Sequence, residues 1–310
     1  MSTASNLPCL VIGASGFIGR NLVETLTQQG IAVRAMTRSG EPFLDHPLVE
    51  FVKGDMSDIN SYVDHLQGIG SCVQLCTTTK PGSANKDISF DITSNLIANV
   101  QLLEKLSDLG NIKFVFISSG GTVYGDPAYV PIDEKHPTEP KSSYGITKLA
   151  IEKYISMFVG QKKLDATILR VSNPFGKFQP YNDGQGVIAT FLWRIMNDEP
   201  IEIWGDGTAV RDYLHVDDVC ASIIHALQYR GDQTVFNIGQ GQGLSLTQII
   251  EGIEKTLGKS AKVSYRPGRA TDVRTNVLDC TLAHQEMNWA PQTEFHEGLE
   301  NTAAWMAELK

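Results

Sequence analysis

The sequence has no apolar run long enough to span a bilayer, and Met1 to Pro8 lacks the basic-then-apolar pattern of a secretory signal. No membrane association is expected, and a cytoplasmic location is. Positive charge is also in short supply. Lys and Arg number 26 against 35 Asp and Glu, a formal net charge of −9. That balance argues against a general nucleic-acid or membrane-surface binder. An anionic ligand would need a local cluster of arginines. Cysteine is sparse and unpatterned. Cys9, Cys72, Cys76, Cys220 and Cys280 contain no CxxC pair. Cys72 and Cys76 have no nearby Cys or His to complete a metal set, so no metal is expected and the thiols read as reduced and partly buried. Internal repeats and low-complexity tracts are absent.

What is present is an alternation of buried strands and amphipathic helices. The 310 residues suffice for one large α/β unit or two fused ones. Cys9–Ile12, Ala32–Met36, Val49–Val52, Cys72–Leu75, Phe114–Ile117 and Ala166–Val171 read as strands buried on both faces. Ile18–Gln29 and Ser94–Leu109 read as helices between them. Strand, helix, strand repeated in this way predicts a doubly wound parallel sheet covered on both sides. After Asn173 the pattern loosens. Residues 173–186, rich in Gly, Pro, Asn and Gln, read as a long loop. Val187–Asn197 and Asp217–Gln228 read as helices, and Ile201–Trp204 and Val235–Ile238 as strands. Ser245 with Gln248 forms a capping box that starts Leu246–Leu257. The expected division is a first domain over 8–173 and a smaller mixed α/β lobe over 174–310, with a soft boundary and some elements shared.

The first strand runs into Gly13-Ala14-Ser15-Gly16-Phe17-Ile18-Gly19, and a helix follows. Between the first strand and first helix, a glycine triplet is a dinucleotide-binding signal. Gly13 permits the tight turn, Gly16 lets a pyrophosphate approach backbone N–H groups, and Gly19 allows close packing of helix on strand. Such a sheet is a Rossmann fold, and Gly13, Ser15, Gly16, Phe17, Ile18 and Gly19 are its expected cofactor contacts. The second strand ends Met36-Thr37-Arg38, with no acid to hold ribose hydroxyls. Arg38 suits a 2′-phosphate or an adenine ring, so both NAD and NADP stay open. Tyr144-Gly145-Ile146-Thr147-Lys148 sets a phenol and an ammonium on one helical face. The ammonium is expected to favour the phenolate, making Tyr144 a base for a hydroxyl proton. Ser118, Ser119 and Thr122 lie at the end of a buried strand, where the ligand crevice of such sheets opens.

The glycine spacing resembles the short-chain dehydrogenase/reductase superfamily. Ser118-Ser119-Gly120-Gly121-Thr122-Val123-Tyr124-Gly125, the Tyr144–Lys148 pair and Leu169-Arg170-Val171-Ser172-Asn173-Pro174-Phe175-Gly176 resemble its extended nucleotide-sugar branch, and most of all the UDP-hexose 4-epimerases. The likeness spans Pro8 to Trp289. It implies a catalytic set of Tyr144, Lys148 and Ser119. It further implies that Asp55, Met56 and Asn95 join Arg38, Tyr144 and Lys148 on the cofactor, which is NAD with NADP as the alternative. Ser119, Thr122, Tyr144, Asn173, Trp204, Arg211, Arg269 and Asn276 are implied on the UDP-sugar. The family's third serine is Gly120 here, which leaves Ser119 or Thr122 as the hydroxyl partner. The Asp-Glu pair of the dehydratase relatives is replaced by Gly121 and Thr122. His215 is expected to position its loop, with Asp217 and Asp218 capping the next helix. Asn276 stands where a bulkier residue goes with plain hexoses. The resemblance therefore favours interconversion of UDP-N-acetylglucosamine and UDP-N-acetylgalactosamine. UDP-glucose 4-epimerase, or an NADP-dependent nucleotide-sugar reductase, is the alternative. A homodimer, paired through Ser94–Leu109 and the helix near Ser143, is the implied assembly.

Overall fold

The computed structural model describes residues 7–182, 186–267 and 273–309. Its elements run β1 Cys9–Ile12, α1 Phe17–Gln28, β2 Val33–Thr37, β3 Val49–Lys53, β4 Ser71–Gln74, α2 Ile88–Asp91, α3 Ala98–Leu109, β5 Lys113–Ser119, α4 Ser143–Gly160, β6 Asp165–Val171 and β7 Asn173–Phe175. There follow α5 Val187–Met196, β8 Ile201–Trp204, β9 Val210–His215, α6 Val216–Gln228, β10 Val235–Ile238, β11 Gly243–Ser245 and α7 Leu246–Leu257. The chain ends with β12 Val263–Arg266, β13 Thr275–Asn276, α8 Thr281–Met287 and α9 Phe295–Ala307. Among the described residues, no helix is long and apolar enough to cross a membrane.

The chain divides into two compact units. The first comprises 1–125, 138–170 and 223–236; the second comprises 126–137, 171–222 and 237–310. The soft boundary expected near 174, with some elements shared, takes the form of an exchange of segments. The second half of α6 and the start of β10 belong with the sheet, and 126–137 belongs with the later residues. Apolar periodicity reports that a segment is buried, not which core buries it.

The seven-stranded sheet has the order β10-β6-β5-β4-β1-β2-β3. Neighbours from β3 through β5 pair in parallel. Covered on both faces, β1 and the centre of β5 are continuous apolar runs. Helix α1 buries Leu22, Val23 and Leu26, while α4 buries Ile151, Ile155 and Phe158 at helical spacing. The strand order reverses between β1 and β4, the switch point beside which such sheets bind ligands. One expected helix starts earlier than the reading from Ser94. Residues 88–109 run continuously, with a π-helical stretch over Ile92–Ile97 between α2 and α3. The extra residue of such a wide turn is a frequent feature of functional sites.

The second unit packs Phe175, Ile188, Leu192, Ile249, Ile253, Leu299 and Met306 into its own core. The capping box at Ser245 and Gln248 is present. Two readings need correction. Residues 173–186 are not loop throughout, because β7 pairs in parallel with β9. Asp217 and Asp218 lie in the first turn of α6 rather than capping it. The Asp218 carboxylate instead accepts the backbone N–H groups of Gln292 and Thr293, at 2.9 and 3.0 Å.

Candidate active site

The glycine loop has the shape that its composition demands. Gly13 sits at φ +88°, and a Cβ there would lie 3.1 Å from the backbone nitrogen of Cys76, just past β4. A Cβ on Gly19 would come within 2.2 Å of the Gly13 carbonyl oxygen, so only glycine lets α1 start this close to the loop. Gly16 is the N-cap of α1. No side chain caps the helix, and its first turn holds no acid. Its leading N–H groups and dipole are therefore left for an anion, which fits a dinucleotide's diphosphate. Ser15 contributes its carbonyl to the Arg20 guanidinium at 3.2 Å, which braces the loop.

The adenosine side is less open than expected. Thr37 is buried and accepts the Gly40 N–H at 2.9 Å, while Arg38 is exposed. Asp55 accepts the N–H and hydroxyl of Ser57 at 2.9 and 2.7 Å. Those bonds, and then Arg38, hold its carboxyl below the usual range. Met56 is buried under Tyr62.

Tyr144 and Lys148 lie one turn apart on α4, which Ser142 caps through the Gly145 N–H. The Lys148 side chain is buried, with the residue 6% exposed. Its ammonium donates to the Ile117 carbonyl at 2.8 Å and lies 4.6 Å from the Phe116 ring centroid and 5.8 Å from that of Tyr144. Burial brings its pKa down to about 8, against the opposing pull of Cys76, Glu152 and Asp91. Tyr144 departs from expectation. Burial, and then the Asp91 carboxylate, push the phenol up to about 12. Lys148 alone therefore does not bring this phenol to neutral pH. A further positive charge at the site is required, and a nicotinamide ring in its oxidised form carries one.

Ser119 ends β5, where its carbonyl accepts the Thr122 and Val123 N–H groups at 3.3 and 3.2 Å. A Cβ on Gly145 would meet the Thr122 carbonyl at 2.8 Å, so α4 packs hard on this turn. The Thr122 hydroxyl is buried without a hydrogen-bond partner among the described residues. Asn95 differs from its expected role. Its amide is spent within the protein: the oxygen accepts the Thr78 N–H at 2.9 Å, and the nitrogen donates to Thr78 and Asp91. It fixes the loop after β4 as well as lining the recess beside Tyr144.

Two groups went unread in the sequence. Asp91 lies wholly buried between the loop after β4 and α4. Glu152, one turn beyond Lys148, forms a buried ion pair with Arg170 at 2.6 Å and accepts a hydrogen bond from Ser118. Arg170 in turn donates to the Tyr124 hydroxyl at 2.9 Å. The spacing Tyr144, Lys148, Glu152 at intervals of four was the available signal for the second group. Cys76, expected only as a reduced and partly buried thiol, lies beside Gly13 in the field of Lys148 and lines the recess.

In the second unit, Asn173, Arg211 and Asn276 lie on adjoining strands. β13 places Asn276 opposite Arg211 of β9, and the Asn173 amide donates to the Asp212 carbonyl at 2.9 Å. Asn276 is only 2% exposed. Trp204 is exposed at the end of β8. His215 packs edge-on against Phe175 and lies 3.4 Å from Asp217, a local contact at the start of α6. Arg269 lies outside the described residues.

Comparison with known proteins agrees with this geometry. A family model described as the NAD dependent epimerase/dehydratase family matches residues 9–239. The chain is 32% identical to a dTDP-4-dehydro-6-deoxyglucose reductase of Escherichia coli, with 94% of this chain and 95% of the other aligned. It is likewise 32% identical to a UDP-glucose 4-epimerase of Mycolicibacterium smegmatis, over 94% and 96%. Among solved structures, the UDP-glucose 4-epimerase of Thermotoga maritima with UDP-glucose superposes with a TM-score of 0.92 at 31% identity, covering 98% of this chain and 99% of that one.

Proposed function

Because this chain belongs to the NAD dependent epimerase/dehydratase family, we propose that it is a UDP-sugar 4-epimerase whose preferred pair is UDP-N-acetylglucosamine and UDP-N-acetylgalactosamine. NAD is the cofactor. The observation that carries the reading is the Tyr144–Lys148 pair on α4, beside the turn that holds the unpartnered Thr122 hydroxyl. The glycine loop, α1 and Lys148 are the groups that would hold NAD, whose nicotinamide would supply reversible hydride acceptance at C4 of the sugar. The chain's own part is proton handling. As phenolate, Tyr144 takes the proton of the 4-hydroxyl, and it returns that proton to the same oxygen once the ring has turned. Lys148 keeps a positive charge near the phenol, and Thr122 or Ser119 donates a hydrogen bond to O4. Gly121 and Thr122, where dehydratases carry Asp and Glu, leave no acid–base pair to expel water. Asn276 favours the N-acetyl sugar by its size. Asn173, Trp204, Arg211 and Arg269 are proposed on the nucleotide, two guanidinium groups answering the diphosphate in an otherwise acidic protein.

A second reading has a specific observation behind it. The reductase relative shares 32% identity over nearly the full length, so net reduction of a 4-keto sugar is the competitor. Purified protein given UDP-N-acetylglucosamine or UDP-glucose, with no added reductant, separates the two by product analysis. Epimerisation without net NADH consumption supports the proposal, and Tyr144→Phe abolishes it while leaving UDP-sugar binding intact. Product formed only with stoichiometric reductant, or full turnover by Tyr144→Phe, overturns it. We also propose a homodimer. Ile88, Phe90 and Ile97, with Ile146, Tyr154 and Met157 of α4, expose large apolar side chains on neighbouring helices of the first unit.

A further inference from the structure

Asp91 ends α2 and is 0% exposed. A carboxylate in such a place is costly unless its oxygens are saturated. Here they are, entirely by side chains. One oxygen accepts from the Thr79 hydroxyl and from the Asn95 amide at 3.0 Å. The other accepts from the Ser143 hydroxyl at 2.6 Å and the Thr147 hydroxyl at 2.8 Å. No cation pairs with it among the described residues. Packing alone would be served as well by an apolar side chain, and a neutral Asn cannot accept four bonds.

What the four donors have in common is position. Ser143 immediately precedes Tyr144, and Thr147 immediately precedes Lys148. Spaced by four, they lie on one face of α4, about 100° around the helix from the catalytic pair. Thr79 and Asn95 belong to the loop after β4 and to the π-helical stretch. We propose that Asp91 is a positioning residue: its buried carboxylate clamps the turn of α4 bearing Tyr144 and Lys148 to the loop beyond β4, which fixes the rotation of the catalytic face. This rests on the reading of Tyr144 and Lys148 given above.

The clamp has an electrostatic consequence. The charged and titratable groups near the phenol are Lys148 and Glu152 on α4, Cys76 after β4, and Asp91. Glu152 is already paired with Arg170 of β6, and Asp55 and Arg38 act on Cys76. Asp91 is the negative group that raises the Tyr144 phenol, and it also favours the Lys148 ammonium. It therefore holds protons on both members of the pair.

The test uses NAD-loaded enzyme with UDP-N-acetylglucosamine and UDP-glucose. Asp91→Asn keeps the shape and removes the charge. Its acid-side limb in the plot of log kcat against pH is expected to move to lower pH by about half a unit or more. Ser143→Ala combined with Thr147→Val keeps the charge and cuts the tethers. It is expected to lower kcat at least tenfold with KM for the UDP-sugar within twofold. A carboxylate that only stabilises the fold would lower the melting temperature and leave both quantities unchanged, and that result overturns the proposal. Should Asp91→Asn not fold, wild-type kcat in the double variant is overturning by itself. Tyr144→Phe run in parallel keeps the two readings apart. Turnover by Tyr144→Phe, or none by the wild type, defeats the catalytic assignment and this inference with it. An inactive Tyr144→Phe beside an unchanged Asp91→Asn defeats this inference alone.

Discussion

Lys148→Met should make the cofactor-free protein more stable while abolishing catalysis. The Lys148 ammonium is buried, and its pKa falls from 10.5 to about 8. That gap corresponds to roughly 3 kcal/mol of cost for keeping the charge inside. Methionine has a similar length and no charge. It forfeits the 2.8 Å bond to the Ile117 carbonyl, worth about 1 kcal/mol. The expected net gain near pH 7 is about 2 kcal/mol, or roughly 4–8 °C in the melting temperature of a unit this size. The pH dependence follows from the two pKa values. Unfolded, the lysine keeps its proton up to about 10.5; folded, it loses the proton near 8. Between these values the folded chain binds fewer protons, so wild-type stability rises with pH. Below 8 the whole cost stands, and above 10.5 it is gone. The advantage of the variant should therefore shrink through that window. Titrating groups remote from Lys148 are common to both proteins and cancel in the difference; Cys76, which the ammonium favours as thiolate, is the exception. Urea unfolding of both proteins at pH 7 and pH 10 measures it. A variant at least 1 kcal/mol less stable than wild type at pH 7, or an advantage that does not shrink by pH 10, refutes the reasoning.

Gly19→Ala places a methyl 2.2 Å from the Gly13 carbonyl oxygen, so α1 must move off the loop. NAD affinity measured by calorimetry should fall at least tenfold, with about 1–3 kcal/mol of destabilisation, whereas Gly160→Ala, whose Cβ meets nothing within 4 Å, should change neither. Wild-type NAD affinity in Gly19→Ala would show that the close approach is not required. For the assembly, Phe90→Asp combined with Met157→Asp should convert a dimer to a 34.0 kDa monomer in light scattering. A wild type already monomeric at assay concentration would remove the basis for the dimer.

The parallel sheet and its switch point were legible because both rest on features that sequence displays. Buried strands such as β1 and β5 are largely apolar runs, Gly13 holds a positive φ, and Gly19 leaves no room for a Cβ. The Tyr144–Lys148 pair was legible from helical spacing taken together with the glycine loop upstream. Its electrostatics were not. The phenol's pKa depends on a carboxylate 53 residues earlier in the chain and on the depth of its burial, neither of which any local pattern encodes. Asn95 is implied on the cofactor by resemblance, and the structure adds that its amide is bonded inward to the loop, which no local pattern announces. The exchange of 126–137 and 223–236 between units was illegible for the same reason: which core receives a buried segment is decided by long-range packing.

One strand that sequence reading missed, β9, was hidden by a buried acid. β9 reads Val210-Arg211-Asp212-Tyr213-Leu214-His215, and the charges at its centre break the apolar pattern that identifies a buried strand. Yet Asp212 is fully buried, and it accepts the backbone N–H groups of Gln240 at 2.7 Å and of Gly241 and Leu278 at 3.2 Å. Asp91, Glu152 and Asp218 behave alike, each joining segments far apart in the chain. The reason is general. An ionised carboxylate survives burial only by collecting several donors, and a chain can bring several donors to one point only by bringing several segments there. An acid that interrupts an apolar run thus signals a junction between segments as readily as it signals solvent. In this protein such junctions hold the strand of Arg211 in one unit and the turn of Tyr144 and Lys148 in the other, so a buried acid both hides an element and fixes it.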